Sequence, residues 1–184
     1  LLPPANYPSL LFPGRAFLPS KAFASPYHRS FTSSFQFGRC VRGDQGVDEF
    51  VEVAVHDGVR PLVTEKFLRE IFAAAEDVNG LIPVLPCIDT MKVLKSENEV
   101  LKSVSGVEAD RSVLYGAQTP QIFRSELLKQ AYQQPFSPAF TDDASVMEKN
   151  GKSLSYVIGE RLNIKITTQE DLILARAIYS LRED

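Results

Sequence analysis

The chain has 184 residues, 44% of them hydrophobic and 23% charged, with 12 Phe, 12 Pro and 2 Cys, which suits one ordinary domain with a real apolar core. Two cysteines, Cys40 and Cys87, define no disulfide framework, and no apolar run approaches the roughly 18–20 residues of a membrane span. A net charge of −3 and a pI near 5.5 argue against nucleic acid as the main partner.

The charge is divided unevenly. Residues 1–43 hold five basic side chains (Arg15, Lys21, Arg29, Arg39 and Arg42) and no acidic one, so they carry +5 while residues 44–184 carry −8. Six prolines, Pro3, Pro4, Pro8, Pro13, Pro19 and Pro26, interrupt any helical period in this stretch. It reads as a disordered tail, as a segment foreign to the native N-terminus, or as a basic, acid-poor targeting peptide, which the prolines oppose. Residues 1–46 are therefore expected to be an atypical, poorly ordered segment, and 47–184 the folded domain.

From residue 47 the pattern is orderly. Val51-Glu52-Val53-Ala54-Val55 alternates and is rich in β-branched residues, predicting a strand that ends at His56-Asp57-Gly58. Thr64 is positioned to cap a helix whose apolar residues Phe67, Leu68, Ile71, Phe72 and Ala75 recur at helical spacing, with Gly80 near its stop. Leu81–Leu85 is a short buried strand closed by Pro86. Lys92–Leu94 and Val100–Val104 flank a polar turn as a hairpin arm, and Val113–Tyr115 is a further strand. Ser125 caps a helix bearing Leu127, Leu128, Ala131 and Tyr132, and Asp142–Lys149 is a short helix stopped by Asn150-Gly151. Leu154–Ile158 and Ile164–Ile166 read as strands. Thr168 with Asp171 resembles a capping box for a last helix through Leu181. Strands alternating with helices predict a layered α/β fold with a mostly parallel sheet.

Ligands of open α/β sheets bind beyond the carboxyl ends of strands, and four clusters fall there. His56-Asp57-Gly58-Val59-Arg60-Pro61 offers a carboxylate leaving a strand and then an Arg, which suits metal and phosphate binding. It reads equally as a turn capped by Asp57 and paired with Arg60. Asp89-Thr90-Met91-Lys92 sets a hydroxyl beside a base, or is an exposed turn. Asp110-Arg111 precedes Gln118-Thr119-Pro120-Gln121, and Arg suits bidentate phosphate contact, although an Asp–Arg pair also serves as a surface ion pair. Thr141-Asp142-Asp143-Ala144-Ser145 opens a helix, where capping and anion binding share one geometry, and Asn163-Ile164-Lys165-Ile166-Thr167 follows. His28 and His56 lack ligand-spaced partners, which argues against zinc, and both cysteines read as unpaired thiols.

Taken together and in order, these motifs closely resemble the 2-C-methyl-D-erythritol 4-phosphate cytidylyltransferases over about residues 47–182. The resemblance implies a Rossmann-like nucleotidyltransferase sheet with a protruding β-hairpin arm, Mg²⁺ or another divalent cation as cofactor, and CTP and methylerythritol phosphate as substrates, joined with release of pyrophosphate in the non-mevalonate route to isoprenoids. It implies a homodimer in which the 92–104 arm reaches over the partner subunit; the lack of a convincing transit peptide favours a bacterial cytoplasm over a plastid. Asp57 becomes the metal- and CTP-side carboxylate, with Arg60 organising that site. Arg111 and Lys165 become the catalytic grips on the acceptor phosphate, and Thr90, Thr119 and Thr141 add hydroxyl contacts to the acceptor. Thr90 and Arg111 would serve the partner's site.

The family also begins with a strand and a Gly-rich loop containing an Arg, followed by a Lys, which hold the triphosphate. None of this is recognisable in residues 1–46, where Gly14-Arg15 and Lys21 lack the glycine spacing. The expectation is a C-terminal part of the enzyme, with an incomplete N-terminal part and impaired turnover. The competing readings are a pentitol-phosphate (ribitol 5-phosphate) cytidylyltransferase and a non-catalytic dimerising fragment.

Overall fold

A computed structural model describes residues 34–42 and 48–182 of the chain. In chain order its elements are β1 (Ser34–Arg42), β2 (Asp48–Asp57), α1 (Glu65–Ala74), β3 (Gly80–Pro86), β4 (Leu94–Glu97), β5 (Val100–Ser103), β6 (Tyr115–Ala117), β7 (Gln121–Arg124), α2 (Ser125–Ala131), α3 (Asp143–Lys149), β8 (Ser155–Ile158) and α4 (Gln169–Ser180). β2 pairs antiparallel with β1 on one edge and with β7 on the other. β7 is antiparallel to β3, and β3 is parallel to β8. β2, β3 and β8 therefore run the same way, as the strand–helix–strand alternation predicts. The sheet is nevertheless mostly antiparallel in its pairings, because β7 inserts between β2 and β3 and runs against both. A crossover through α1 sets direction, and it does not make the two strands it joins neighbours.

β6 and β7 lie along the same edge of β3, opposite β8. Between the pairs Val84↔Ala117 and Leu81↔Ile122 the register slips, and Gln118-Thr119-Pro120 leaves the ladder. Pro83 sits opposite this break. Its carbonyl accepts from the Gln118 N–H at 2.8 Å, so its own missing N–H falls on the interrupted edge, the position in which a strand tolerates proline.

Alternation along the strands builds a core on each face. Val55, Ile82 and Phe123 pack under α2 and α3 with Leu128, Val146 and Met147, while their chain neighbours Ala54, Leu81 and Ile122 pack under α1 with Phe67, Ile71 and Phe72. Burying each large side chain contributes about 1.5–3 kcal/mol. Gly80 opens β3 and does not stop α1, which ends at Ala74. A Cβ at position 80 would lie 2.6 Å from the Phe123 ring.

Several boundaries differ from expectation. β1 arises in the stretch without periodicity, where its pairing with the whole of β2 decides the conformation. Residues 1–33 and 43–47, with Arg15, Lys21 and His28, lie outside the described residues. Arg111–Val113 forms a 3-10 turn because the Asp110 carboxylate accepts from the Ser112 N–H, a local bond that outcompetes extension. The strand then starts only at Tyr115. Ser125 is the first residue of α2 and not its cap, since β7 runs directly into the helix. Ile164–Ile166 pairs with no strand among the described residues; the Ile166 N–H donates to the Val59 carbonyl. Thr64 and Thr168 cap α1 and α4 as expected, the latter in a capping box with Asp171. β4 and β5 form a separate two-stranded hairpin turning at Asn98 and Glu99, both at positive φ, which matches the twist of the flanking strands.

Candidate active site

The carboxyl ends of β2, β3 and β8 share one edge of the sheet, and the register places the amino ends of β6 and β7 there as well. Four segments converge on it: the turn after Asp57, the break at Gln118-Thr119-Pro120, the start of α3, and the irregular segment 159–167.

Asp57 ends β2 with its side chain 18% exposed. Its Oδ2 accepts from Arg60 Nε at 3.2 Å and lies 3.3 Å from Lys165 Nζ. The two cations come from turns 105 positions apart in sequence, so only the fold joins them. One carboxylate against an Arg and a Lys leaves a local charge of +1 that attracts an anion. Arg60 is 12% exposed and bidentate: its NH1 also donates to the Asn163 carbonyl at 2.9 Å. Lys165, 38% exposed, is the cation open to an incoming ligand. Asp57 and Arg60 thus form the paired turn that the sequence allows.

Behind Asp57 lies a hydrogen-bond relay. The Asp57 N–H donates to Thr119 Oγ1 at 2.9 Å, Thr119 Oγ1 lies 3.0 Å from His56 Nδ1, and His56 Nε2 lies 2.9 Å from the Arg60 carbonyl. A carbonyl only accepts, so Nε2 carries a proton, and in the neutral ring Nδ1 accepts from the Thr119 hydroxyl. Burial lowers the His56 pKa from its ordinary value, and the Asp57 charge offsets only part of that. Thr119 keeps one lone pair for any further contact.

Sequence reading missed a second device, in which Gln118, Glu160 and Asn163 clamp the segment that carries Lys165. Gln118, 6% exposed, donates its Nε2 to the Glu160 carbonyl at 3.0 Å and to the Asn163 carbonyl at 3.3 Å, and its Oε1 accepts from the Glu160 N–H at 3.1 Å. Asn163, fully buried, donates its Nδ2 to the Thr119 carbonyl at 2.8 Å. Its Oδ1 is buried with no hydrogen-bond partner among the described residues. The Glu160 carboxylate meanwhile accepts from the Thr64 N–H at 3.0 Å and from its hydroxyl at 2.5 Å, tying the segment to the start of α1. Two amide side chains within the singled-out motifs were the available signal; their burial was not.

The other expected residues share the edge without touching this cluster. Arg111 donates to the Ile88 carbonyl at 2.8 Å and so holds the loop in which Thr90 is exposed. Thr141 precedes α3, whose cap is Asp142 in a reciprocal box with Ser145. The Thr141 hydroxyl makes no hydrogen bond among the described residues. Asp142 is joined to the site by Gln121 Nε2 at 2.9 Å, and Gln121 pairs with Val55 in β2.

Among the described residues no group of three His, Cys, Asp or Glu side chains could hold a metal ion. That donor set excludes an all-protein cage. It fits a magnesium ion, which takes one or two carboxylates and completes its shell with substrate phosphates and water. Asp57 offers Oδ1 for this, since both described cations bind Oδ2.

Known proteins share this architecture. Residues 42–181 match the family described as IspD: 2-C-methyl-D-erythritol 4-phosphate cytidylyltransferase. The chain is 43% identical over 141 residues to an enzyme of that name from Rubrobacter xylanophilus, covering 75% of this chain and 58% of that one. It is 44% identical over 126 residues to one from Bacteroides thetaiotaomicron, covering 68% and 54%. The chain thus spans little more than half the length of these relatives. A crystal structure of the Thermus thermophilus enzyme superposes with a TM-score of 0.58 at 30% identity, over 72% of this chain and 63% of that one, and a synthase of the same class from Anaerococcus prevotii superposes with a TM-score of 0.59 over 74% and 62%. From β2 through α4, in sequence and in fold alike, the chain belongs to the 2-C-methyl-D-erythritol 4-phosphate cytidylyltransferase family.

Proposed function

We propose that this chain transfers a cytidylyl group from CTP to 2-C-methyl-D-erythritol 4-phosphate and releases pyrophosphate. The observation that carries the reading is the pairing of Arg60 and Lys165 around one carboxylate at the carboxyl edge of the sheet. In the reaction an acceptor phosphate oxygen bonds to the α-phosphorus of CTP as the bond to the pyrophosphate oxygen breaks. Catalysis of such a transfer is positioning plus charge stabilisation. Lys165 and Arg111 hold the acceptor phosphate and neutralise charge on the transferring group. Arg60 keeps Asp57 oriented, and Thr90, Thr119 and Thr141 contact the acceptor. Asp57 would hold Mg²⁺ together with the nucleotide phosphates, and that ion supplies Lewis-acid neutralisation of phosphate charge.

The working form in this reading is a homodimer in a bacterial cytoplasm. The β4–β5 hairpin supports it: Leu94, Val100 and Leu101 are 45%, 57% and 68% exposed, and an isolated two-stranded hairpin is marginal in water. No described helix is long and apolar enough to cross a membrane. Pyrophosphate release with CTP, Mg²⁺ and methylerythritol phosphate tests the assignment, with ribitol 5-phosphate as the parallel acceptor. Release that requires methylerythritol phosphate and falls steeply, to a residual measurable rate, in Lys165→Ala supports it. A folded chain that binds the acceptor yet releases no pyrophosphate would instead be a non-catalytic dimerising module.

A further inference from the structure

Lys165 stands on a segment without helix or strand, yet its ammonium lies 3.3 Å from Asp57. A lysine on an irregular segment ordinarily retains most of its rotamer freedom, so its placement depends on what fixes the backbone beneath it. Here the fixing groups are the Ile166 N–H, bonded to the Val59 carbonyl on the far side of Lys165, and two buried amides on the near side. Gln118 mimics a strand, bonding both the N–H and the carbonyl of Glu160. Gly159 lets the segment approach this closely, since a Cβ there would stand 2.2 Å from Gln118 Oε1. Asn163 then makes the connection to the site. Its side chain holds the Thr119 carbonyl, its own carbonyl receives Arg60 NH1, and Lys165 follows two residues later.

We propose that Asn163, braced by Gln118, is the positioning residue that sets both cations, Arg60 directly and Lys165 through the chain. The inference rests on the phosphate-transfer reading of the same site, and neither amide needs to touch substrate. Loss of the Asn163 side chain frees residues 163–167 from the Thr119 carbonyl, while Gln118 still holds the backbone of Glu160. The Lys165 ammonium then wanders by an ångström or more, a displacement that costs about 100-fold in rate for a group that must be aligned with a transferring phosphate.

The test uses the full chain as Asn163→Ala and Gln118→Leu, each alone and combined with Lys165→Ala. Acylation of Lys165 by acetic anhydride, read by mass spectrometry, reports its freedom independently of turnover. Pyrophosphate release with CTP, Mg²⁺ and methylerythritol phosphate reports its use. Faster Lys165 acylation is expected in both single variants, with kcat/KM down about 100-fold. In the Lys165→Ala background the same changes cost less than about threefold more, because groups acting as one unit are not additive. A merely structural role would leave the losses multiplicative, and that result, or acylation equal to wild type, overturns the proposal. Raised acylation in a chain that never releases pyrophosphate refutes the cytidylyl-transfer reading alone and leaves the positioning role standing. Where Asn163→Ala does not fold, Gln118→Glu, which keeps the acceptor for the Glu160 N–H and loses the donors, gives the same comparison.

Discussion

Arg60→Lys removes geometry while keeping charge. The guanidinium spans two acceptors on different segments, Asp57 Oδ2 at 3.2 Å and the Asn163 carbonyl at 2.9 Å, with 12% of the side chain exposed. An ammonium is a point donor and reaches only one of them. Neither acceptor is orphaned, because Asp57 keeps Lys165 and the Asn163 carbonyl keeps Gln118 Nε2. The expected loss is therefore one charge-assisted hydrogen bond, about 1.5–3 kcal/mol, without a desolvation penalty on top. In urea, where m is about 1–3 kcal/mol/M, the midpoint falls by roughly 1 M. Arg60→Met, which removes both bonds and leaves a second cation to balance Asp57 alone, falls further. The assay is equilibrium urea unfolding at pH 7.5, followed by circular dichroism. An Arg60→Lys midpoint corresponding to less than about 0.5 kcal/mol, the size of a neutral surface change, would refute the idea that the planar fork joins the two segments.

His56 titrates below its ordinary value because it is buried, so the unfolded chain binds the extra proton first. Its contribution is complete above about pH 6.5 and is lost as pH falls through the folded value, with a slope of at most about 1.4 kcal/mol per pH unit. His56→Gln should flatten the stability profile between pH 7.5 and 5, and an unchanged slope contradicts the neutral tautomer. Gly80→Ala drives a Cβ to 2.6 Å from Phe123 and 2.8 Å from Leu154, an overpacking expected to cost about 1–3 kcal/mol in urea unfolding; a stabilised variant would show that the two faces are not close-packed there. The Asp171 carboxyl is held down at about 2 by the Thr167 N–H first, then the Thr167 hydroxyl and the Thr168 N–H. Its NMR titration should therefore centre near that value. Asp171→Asn should speed amide exchange at Thr167 and Thr168 at pH 5, a difference that fades as pH falls through about 2 and whose absence would dismiss the cap.

The helix caps were legible because capping is local: Thr64 and Thr168 bond amides three residues away, within reach of any sequence window. Strand alternation exposed β2 for the same reason. β7 was not legible, since Gln121–Arg124 opens with Gln and ends with Arg, and only its insertion between β2 and β3 makes it a strand. Lys165 carried a further ambiguity. Its neighbours Ile164 and Ile166 suggest a strand that faces Lys165 away from them, yet the segment is held by side-chain amides and not by a ladder.

Sequence by itself therefore determined the elements with local causes, the order of the motifs and the family to which those motifs point. Asp57 and Arg60 belong to that local set, three residues apart in one turn. Tertiary structure decided which charges meet. It carried Lys165 across 108 positions to the same carboxylate oxygen, closed the His56–Thr119 relay, and buried Gln118 and Asn163 as the clamp between them. The physical reason is that charge pairing and amide clamping act over a few ångströms in space, whereas local propensity acts over a few residues in chain. Only the sheet, by bringing three strand ends to one edge, converts the one kind of neighbour into the other.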